Sequence, residues 1–293
     1  MIVLSLFDGI SCGRLALERA NIKINKYFSS EIDKYAIDIS KKNYPDIIQL
    51  GDINDWKNWN INWSEIDLLI GGSPCQGFTF SGNRLNFDDP RSKLFFVYVD
   101  ILNHIKSLNS NIKFLLENVK MENKHKQVID NLLGYDGILI NSNIFSAQNR
   151  QRYYWSNIKI DSIPEKNDIV LKDILNSDDD NNPDYFISVQ HHLAWLKSYN
   201  WKFDDINNKS KPLLATYYKQ PPHCPYIPSI HSPSGYRRLS PLECERLQTL
   251  PDNYTHVINI KNNKTYENSR TQRWKCLGNG WTVNVIAFIL KNL

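Results

Sequence analysis

The stretch Asp67-Leu68-Leu69-Ile70-Gly71-Gly72-Ser73-Pro74-Cys75-Gln76 decides the fold. Its apolar run, 68–70, is bounded by turn-forming residues, a pattern typical of a buried strand that ends in a loop. In an open α/β sheet, ligands gather outside the carboxyl ends of the strands, so we expect the Cys75 thiol to face a cleft. Taken alone, Cys75 could equally be a small buried hydrophobe, since free cysteines are often buried. The rest of the chain decides between the two.

The composition indicates a globular protein without a strong charge bias. Of the 293 residues, 41% are hydrophobic and 23% are charged, which is ordinary for a domain with a substantial core. The net charge of +4 is too small to predict a nucleic-acid partner by itself. The five cysteines form no close metal-binding pair, and no apolar stretch reaches membrane-spanning length. We therefore expect an intracellular protein with no metal and no membrane contact.

Strands and helices alternate over the first half of the chain. Strand patterns cover 2–7, 26–30, 47–50, 68–70, 113–116 and 137–143, with helical patterns at 14–20, 34–43, 94–106 and 124–133 between them. This alternation predicts a mostly parallel sheet, in which the glycine-bearing turn 8–13 presents backbone amides to a ligand. Glu31 and Asp52 follow strands, so we expect Glu31 to bind ribose hydroxyls and Asp52 an adenine amino group, with Ile53 packed on the ring. A solvated surface glutamate is the alternative for Glu31.

The alternation stops near Asp161. The residues after it are polar and rich in asparagine, with an acidic run and a proline-rich patch, and they predict a separate lobe. Regular structure returns at Ser240, a candidate N-cap with Pro241 at the first helical position and Glu243 completing a capping box. We expect a catalytic and cofactor-binding domain at 1–160, a lobe at 161–236, and a segment at 237–293 that returns to the first domain.

With these residues in place, the chain resembles the DNA (cytosine-5)-methyltransferases that use S-adenosylmethionine, over about residues 1–160 and 237–293. The motifs occur in the family's usual order: Phe7-Asp8-Gly9, Ser29-Ser30-Glu31, Gly51-Asp52-Ile53, Gly72-Ser73-Pro74-Cys75-Gln76, Glu117-Asn118-Val119, Gln148-Asn149-Arg150-Gln151-Arg152, Arg237 to Leu250 and Leu277 to Val283. Several short motifs in one order are far more specific than any one of them. The glycine turn resembles the animal de novo subfamily, whereas Gln76 matches bacterial members. The resemblance implies an α/β fold: a Rossmann-like class I methyltransferase sheet with a small, irregular target-recognition lobe.

The resemblance also assigns roles to individual residues. Cys75 would add to cytosine C6 and make C5 nucleophilic toward the methyl group of S-adenosylmethionine. Glu117 would hydrogen-bond or protonate N3, Arg152 would hold O2, and Arg150 would orient Glu117 or a phosphate. Because the two arginines alternate at strand period, we expect both on one face. Each could be an ordinary ion-pair residue, but their convergence at one sheet edge favours function.

The implied cofactor is S-adenosylmethionine, and the implied partner is double-stranded DNA. We assign to the cofactor site Phe7, Asp8, Gly9, Ile10, Glu31, Ile32, Asp52, Ile53, Pro74, Leu94, Asn279, Gly280 and Trp281. The target cytosine must be flipped out of the stack, and the loop 76–89 can close over it. We assign to DNA contacts Gln76, Phe78, Arg84, Lys211, Tyr217 and Lys219. For the lobe residues among these, a solvated loop with partly buried tyrosines is the alternative. We expect a monomeric, cytoplasmic enzyme of bacterial or viral origin.

Other interpretations remain open at this point. A tRNA cytosine methyltransferase shares the fold and the motif set, and RNA contacts would depend on the lobe that matches no motif. A catalytically inactive DNA-binding partner would lack Cys75, Glu117 or Arg152, and all three are present. A small-molecule methyltransferase would need neither the lobe nor the closing loop.

Overall fold

The computed structural model describes residues 1–74, 93–160, 162–187, 194, 198–199, 202–261 and 264–293. The chain divides into two compact units. The first unit comprises Met1–Ile140, Gln151–Ile163 and Asn284–Leu293, and the second comprises Asn141–Arg150 and Pro164–Val283. The second unit is therefore larger than the lobe expected at 161–236, because it also includes 141–150 and 237–283.

A seven-stranded sheet, counted over the described residues, runs in the order β3-β2-β1-β4-β5-β7-β6. Its strands are β1 Ile2–Leu6, β2 Lys26–Ser30, β3 Ile48–Gln49, β4 Leu68–Gly72, β5 Lys113–Val119, β6 Ile138–Asn141 and β7 Gln151–Ser156. β1 is parallel to β2 and β4, and β4 is parallel to β5, whereas β7 is antiparallel to β5. The predicted mostly parallel sheet is confirmed.

Helices follow the strands of the first unit, and further helices lie in the second unit. The helices are α1 Cys12–Arg19, α2 Lys34–Asn43, α3 Lys93–Leu108, α4 Asn123–Leu133, α5 Pro241–Leu247, α6 Arg270–Asn279 and α7 Val283–Leu290. Leu4 of β1, Leu69 of β4 and Leu116 of β5 are fully buried, as apolar strands of a parallel sheet covered on both faces require. They share one hydrophobic cluster with Phe95 and Tyr98 of α3. The core of the first unit therefore lies against the strands that carry the predicted site.

Strand β5 is longer than its apolar pattern predicts. It ends at Val119, so Glu117 and Asn118 are strand residues and not loop residues. In the ladder, Glu117 lies opposite Gly72 of β4 and Tyr154 of β7. The antiparallel strand β7 pairs with β5 as far as Val119 and so lengthens it. The sequence of residues 113–119 alone cannot reveal this pairing.

The second unit contains short elements. Within its described residues, it has the two-stranded ladders β8 Tyr226–Pro228 with β9 Tyr236–Arg238 and β10 Ile258–Lys261 with β11 Lys264–Glu267, together with α5 and α6. The predicted capping box at α5 is confirmed, because Ser240 Oγ accepts from Glu243 N while the Glu243 carboxylate accepts from Ser240 N. The same carboxylate binds the buried Arg237 guanidinium through two hydrogen bonds. Helix α6 ends at Asn279, and α7 begins at Val283.

No helix within the described ranges has the length and apolar character needed to cross a membrane.

The α5 capping box gives a stability prediction. We expect Ser240→Ala to lower the free energy of unfolding by about 1–2 kcal/mol, because the lost hydroxyl leaves the buried Glu243 amide without an acceptor. Ser269→Ala is a matched control, since Ser269 caps α6 through a longer, exposed 3.4 Å bond to Gln272 N. Urea unfolding of the two variants measures both losses. An equal loss in the two variants would contradict the argument from burial.

Candidate cofactor and catalytic site

The turn between β1 and α1 has a strained backbone. Phe7, Gly9 and Ser11 have φ angles of 57°, 59° and 60°, in the left-handed region that side-chain-bearing residues rarely adopt. A Cβ atom added at Gly9 would have nothing within 4 Å. The turn therefore leaves open space beside Gly9, where a ligand can approach the main chain.

A buried carboxylate stabilises this turn from within. Asp8 accepts hydrogen bonds from four hydroxyls: Ser5 at 2.6 Å, Ser11 at 2.6 Å, Tyr27 at 2.7 Å and Ser29 at 2.9 Å. Burial raises the pKa of Asp8, and the four hydroxyl bonds oppose that rise. Four bonds fill the usual acceptor capacity of a carboxylate. We therefore replace the predicted cofactor contact of Asp8 by a positioning role, in which Asp8 fixes the turn.

Glu31 connects the end of β2 to the same turn. Its Oε2 accepts from Gly9 N at 2.8 Å, and its Oε1 accepts from Ile32 N and Asp33 N at 2.8 Å each. A carboxylate oxygen takes about two hydrogen bonds, so Oε2 can still accept from a hydroxyl group. The neighbouring Ile32 side chain is 72% exposed. Glu31 and Ile32 together offer one acceptor and one apolar surface at the carboxyl edge of the sheet.

Asp52 and Ile53 follow β3. Asp52 Oδ1 caps the 3₁₀ helix Ile53–Asn58 by accepting from Asn54 N at 2.9 Å. No hydrogen bond reaches Asp52 Oδ2 from the part of the chain that is described. Ile53 is 5% exposed and packs in the hydrophobic cluster. Asp52 is thus available to a polar ligand. The buried Ile53 side chain exposes little surface on which a ligand could pack.

Glu117 and Arg152 form an ion pair across β5 and β7. Arg152 Nε lies 3.0 Å from Glu117 Oε1, and the two side chains are 14% and 12% exposed. Arg152 Nη1 donates to the Gln151 carbonyl at 2.8 Å. The structure thus brings together the two residues predicted to bind the cytosine ring, in a partly buried position where a charge pair is weakly screened.

The adjacent Asn118 contacts the segment that leads to the predicted nucleophile. Asn118 Nδ2 donates to Ser73 Oγ at 3.1 Å. Pro74 follows Ser73 and is half-buried, as is Leu94 in the first turn of α3. The predicted residues Cys75, Gln76, Phe78 and Arg84 lie outside the described residues.

Arg150 belongs to the second unit and is held by backbone carbonyls. Its Nη1 donates to Leu213 O at 2.7 Å, and its Nη2 donates to Gly278 O at 3.1 Å and Gly280 O at 3.0 Å. Because β7 begins at Gln151, the strand alternation expected for the two arginines does not include Arg150. We therefore assign Arg150 to the support of the segment 278–281. Within that segment, Asn279 is exposed, Gly280 half-buried and Trp281 buried.

The lobe residues assigned to DNA differ in what they can contact. Tyr217 is fully buried; its hydroxyl donates to Pro225 O at 2.6 Å and accepts from Leu239 N at 2.8 Å. That environment is incompatible with a DNA contact, so we correct the assignment: Tyr217 stabilises the fold. Lys211 Nζ pairs with the buried Asp204 at 3.2 Å. Lys219 is exposed, with its Nζ 5.6 Å from the Tyr218 ring centroid, and it remains the DNA candidate of this group.

Residues that sequence reasoning missed are polar side chains inside regular elements. Ser5, Tyr27 and Ser29 bind Asp8 from β1 and β2, and Gln248 follows α5 in the second unit. For Ser5, Tyr27 and Ser29, the available sequence signal was a hydroxyl group at a buried strand position. Such a group has no packing advantage there and needs a hydrogen-bond partner. Among the residues that the structure describes, no group of three or more His, Cys, Asp or Glu is arranged to hold a metal ion.

Comparison with known proteins identifies the family. The model for "C-5 cytosine-specific DNA methylase" matches residues 1–293. The chain belongs to this family. The prediction of a DNA (cytosine-5)-methyltransferase family member, made from the motifs, is confirmed.

Proteins of bacteria and phages are among the relatives of this methylase-family chain. It is 30% identical to the type II methyltransferase M1.ScrFI of Lactococcus lactis subsp. cremoris, over 99% of this chain and 77% of that one. It is 27% identical to the type II methyltransferase M.NgoPII of Neisseria gonorrhoeae, over 97% of this chain and 93% of that one. The orphan methyltransferase M.Rho11sI of Bacillus phage rho11s is 32% identical over 73% of this chain. The matched part covers only 44% of that relative, less than half of its length.

Solved structures confirm the fold. The Dnmt2 methyltransferase of S. pombe superimposes with a TM-score of 0.74 at 20% identity, over 99% of this chain and 97% of that one. The Entamoeba histolytica methyltransferase EhMeth superimposes with a TM-score of 0.75 at 19% identity, over 100% of this chain and 97% of that one. The predicted Rossmann-like methyltransferase sheet is therefore confirmed.

The first unit fits the S-adenosylmethionine that membership of this family implies. Glu31 Oε2 can accept from a ribose hydroxyl, Asp52 Oδ2 can accept from an exocyclic amine, and the space beside Gly9 admits a ligand atom. The strained turn is fixed in advance by Asp8, so binding need not order it.

The Asp8 network predicts a pH dependence of stability. Because the folded-state pKa of Asp8 is raised, its contribution to stability is present when the group is protonated and is lost as the pH rises through that pKa. Asparagine does not titrate, so we expect the stability of the wild type relative to Asp8→Asn to fall as the pH rises above about 4, the ordinary aspartate pKa. Urea unfolding at several pH values measures this difference.

Asp252→Asn is the control of opposite sign. A hydrogen bond from Arg246 lowers the pKa of Asp252. Its contribution to stability is therefore present at neutral pH and is lost as the pH falls through that pKa. A wild-type advantage over Asp8→Asn that stays constant or grows with pH would contradict the assignment for Asp8.

Proposed function

We propose that this chain transfers the methyl group of S-adenosylmethionine to C5 of a flipped-out cytosine in duplex DNA. The observation that carries the proposal is the Glu117–Arg152 ion pair. Glu117 lies on β5, which pairs with β4, the strand that leads to Cys75, and Arg152 lies on β7, which pairs with the other side of β5. A carboxyl group and a guanidinium at this spacing match the N3 and O2 edge of cytosine. The family match over the whole chain supports the same reaction.

Activation of cytosine falls to Cys75. C5 is a weak nucleophile, so we propose that the Cys75 thiolate forms a bond to C6 and that the displaced ring electrons make C5 nucleophilic. S-adenosylmethionine supplies the methyl group as an electrophile. The C5 proton then leaves to a base, the C6–sulfur bond breaks, and the aromatic ring and the thiolate are restored.

Glu117 and Arg152 divide the recognition of the ring. Glu117 would hydrogen-bond N3 and stabilise charge there as C6 is attacked. A guanidinium carries five N–H donors, and Arg152 uses Nε for Glu117 and Nη1 for a carbonyl. Nη2 can therefore donate to O2 of the base. Arg152 both orients Glu117 and contacts the ring in this proposal.

Duplex DNA is the proposed substrate because the matching family is one of DNA methylases. Two of the relatives are named type II methyltransferases, which favours a role in restriction and modification. Transfer to tRNA is the alternative that the same chemistry would allow, and the first experiment includes it.

The proposed reaction predicts a graded loss of activity. We expect Cys75→Ser to abolish transfer of labelled methyl groups to unmethylated duplex DNA, and Glu117→Gln to lower kcat by about 10²–10⁴-fold. Arg152→Lys loses the bond from Nε and should lower kcat as well. Arg246→Lys is the matched control, because its partner Asp252 is on the surface, and its kcat should not change.

Parallel assays with total tRNA separate the two substrate classes. Label at C5 of cytosine in DNA supports the proposal, and label in tRNA alone would assign the same chemistry to RNA. Full activity of Cys75→Ser on either substrate would refute the covalent step.

Lys219 gives a separate prediction for DNA binding. We expect Lys219→Ala to weaken DNA binding and to reduce the slope of log K against log salt concentration by about 0.9, the value for one phosphate contact. Fluorescence anisotropy with a labelled duplex at several salt concentrations measures the slope. Lys291→Ala, at the end of the first unit, is the control. An unchanged slope in Lys219→Ala would remove Lys219 from the interface.

A further inference from the structure

Two glutamines are fully buried in the second unit. Gln148 and Gln248 each have 0% exposure, and Gln148 Nε2 donates to Gln248 Oε1 at 2.9 Å. Gln148 Nε2 also donates to the Leu247 carbonyl at 2.9 Å. Burial of an amide is costly unless its polar atoms are paired. Both side-chain amides are paired here, and their hydrogen bonds connect separate segments of the unit.

Gln248 holds the chain between α6 and α7. Its Nε2 donates to Leu277 O at 2.7 Å and Gly280 O at 3.2 Å. Its Oε1 accepts from Thr282 Oγ1 at 2.9 Å, and its carbonyl accepts from Val283 N at 3.0 Å. One residue thus bonds to four positions within 277–283, the segment that contains the cofactor candidates Asn279, Gly280 and Trp281.

Gln148 and Arg150 fix the same segment from another part of the unit. Gln148 Oε1 accepts from Leu213 N at 3.2 Å, and Arg150 donates both to Leu213 O and to the carbonyls of Gly278 and Gly280. A Cβ atom on Gly278 would lie 2.2 Å from the Leu214 carbonyl carbon. The backbone at Leu214 and the backbone at Gly278 therefore pack directly against each other.

We propose that Gln248, supported by Gln148, is a positioning residue for cofactor binding that fixes residues 279–281 in the conformation that accepts S-adenosylmethionine. This inference rests on the proposed function. A turn that contains a glycine has many conformations in the absence of outside bonds, and ordering it would reduce affinity. Leucine at 248 would fill the same volume, so packing alone does not explain an amide at this position. The hydrogen bonds of the Gln248 amide to this segment do.

The test compares two glutamines in the same unit. Gln248→Met keeps the length of the side chain and removes every side-chain hydrogen bond. We expect the Kd for S-adenosylmethionine, measured by titration calorimetry, to rise about tenfold, with a matching rise in its KM and kcat within about twofold. Amide hydrogen exchange across 280–283 should become faster, a readout that does not depend on activity. Gln272→Met is the matched control, because the buried Gln272 Oε1 has no hydrogen-bond partner among the described residues.

The outcomes separate the inference from the function on which it rests. A folded Gln248→Met protein with an unchanged Kd overturns the positioning role, as does a Gln272→Met protein with an equal loss. If Gln248→Met does not fold, Thr282→Val removes only the hydroxyl bond to Oε1, and an unchanged Kd there has the same consequence. A wild type that binds the cofactor but methylates neither DNA nor tRNA refutes the function, while the comparison of Kd values still decides the inference. A wild type that does not bind the cofactor overturns both.

Discussion

The carboxyl edge of the parallel sheet leaves backbone groups that no strand can pair, and the acidic and amide side chains that satisfy them belong to the candidate site. Glu31 accepts from three main-chain amides, including that of Gly9, and Asp52 caps the helix that follows β3. Asp8 gathers the hydroxyls beneath the strained turn. A ligand at this edge therefore meets carboxylates whose positions were set by the fold, which lowers the entropy that binding must overcome.

The two units fix their candidate cofactor segments with different chemistry. The turn in the first unit depends on a carboxyl group whose pKa is raised by burial, so its support changes with pH. The segment 277–283 depends on the amides of Gln148 and Gln248, which do not titrate, together with hydrogen bonds from the Arg150 guanidinium. A rise in pH should therefore weaken the support of the first segment before that of the second.

Local patterns predicted local structure well. The bounds of β2 and α2 and the Ser240 capping box follow from short runs of apolar and capping residues, whose effects extend over one or two turns. The assignment of Tyr217 to DNA is wrong because its environment depends on residues outside its own motif. Tyr217 is buried by contacts with Pro225 and Leu239, and nothing within its own sequence neighbourhood indicates this. The association of 141–150 with 237–283 also depends on long-range bonds such as that from Gln148 to Leu247.

Alternation along β5 explains how one strand serves two needs of the proposed reaction. Successive strand residues point to opposite sides, so Glu117 and Asn118 cannot share a neighbourhood. Glu117 pairs with Arg152 of β7, whereas Asn118 donates to Ser73 at the end of β4. The strand thus presents one side chain for the base and uses the next to hold the segment before Cys75. A shift of one residue in the β5 ladder would exchange these two side chains and separate the carboxyl group from its guanidinium, so the register of β5 determines whether the site exists.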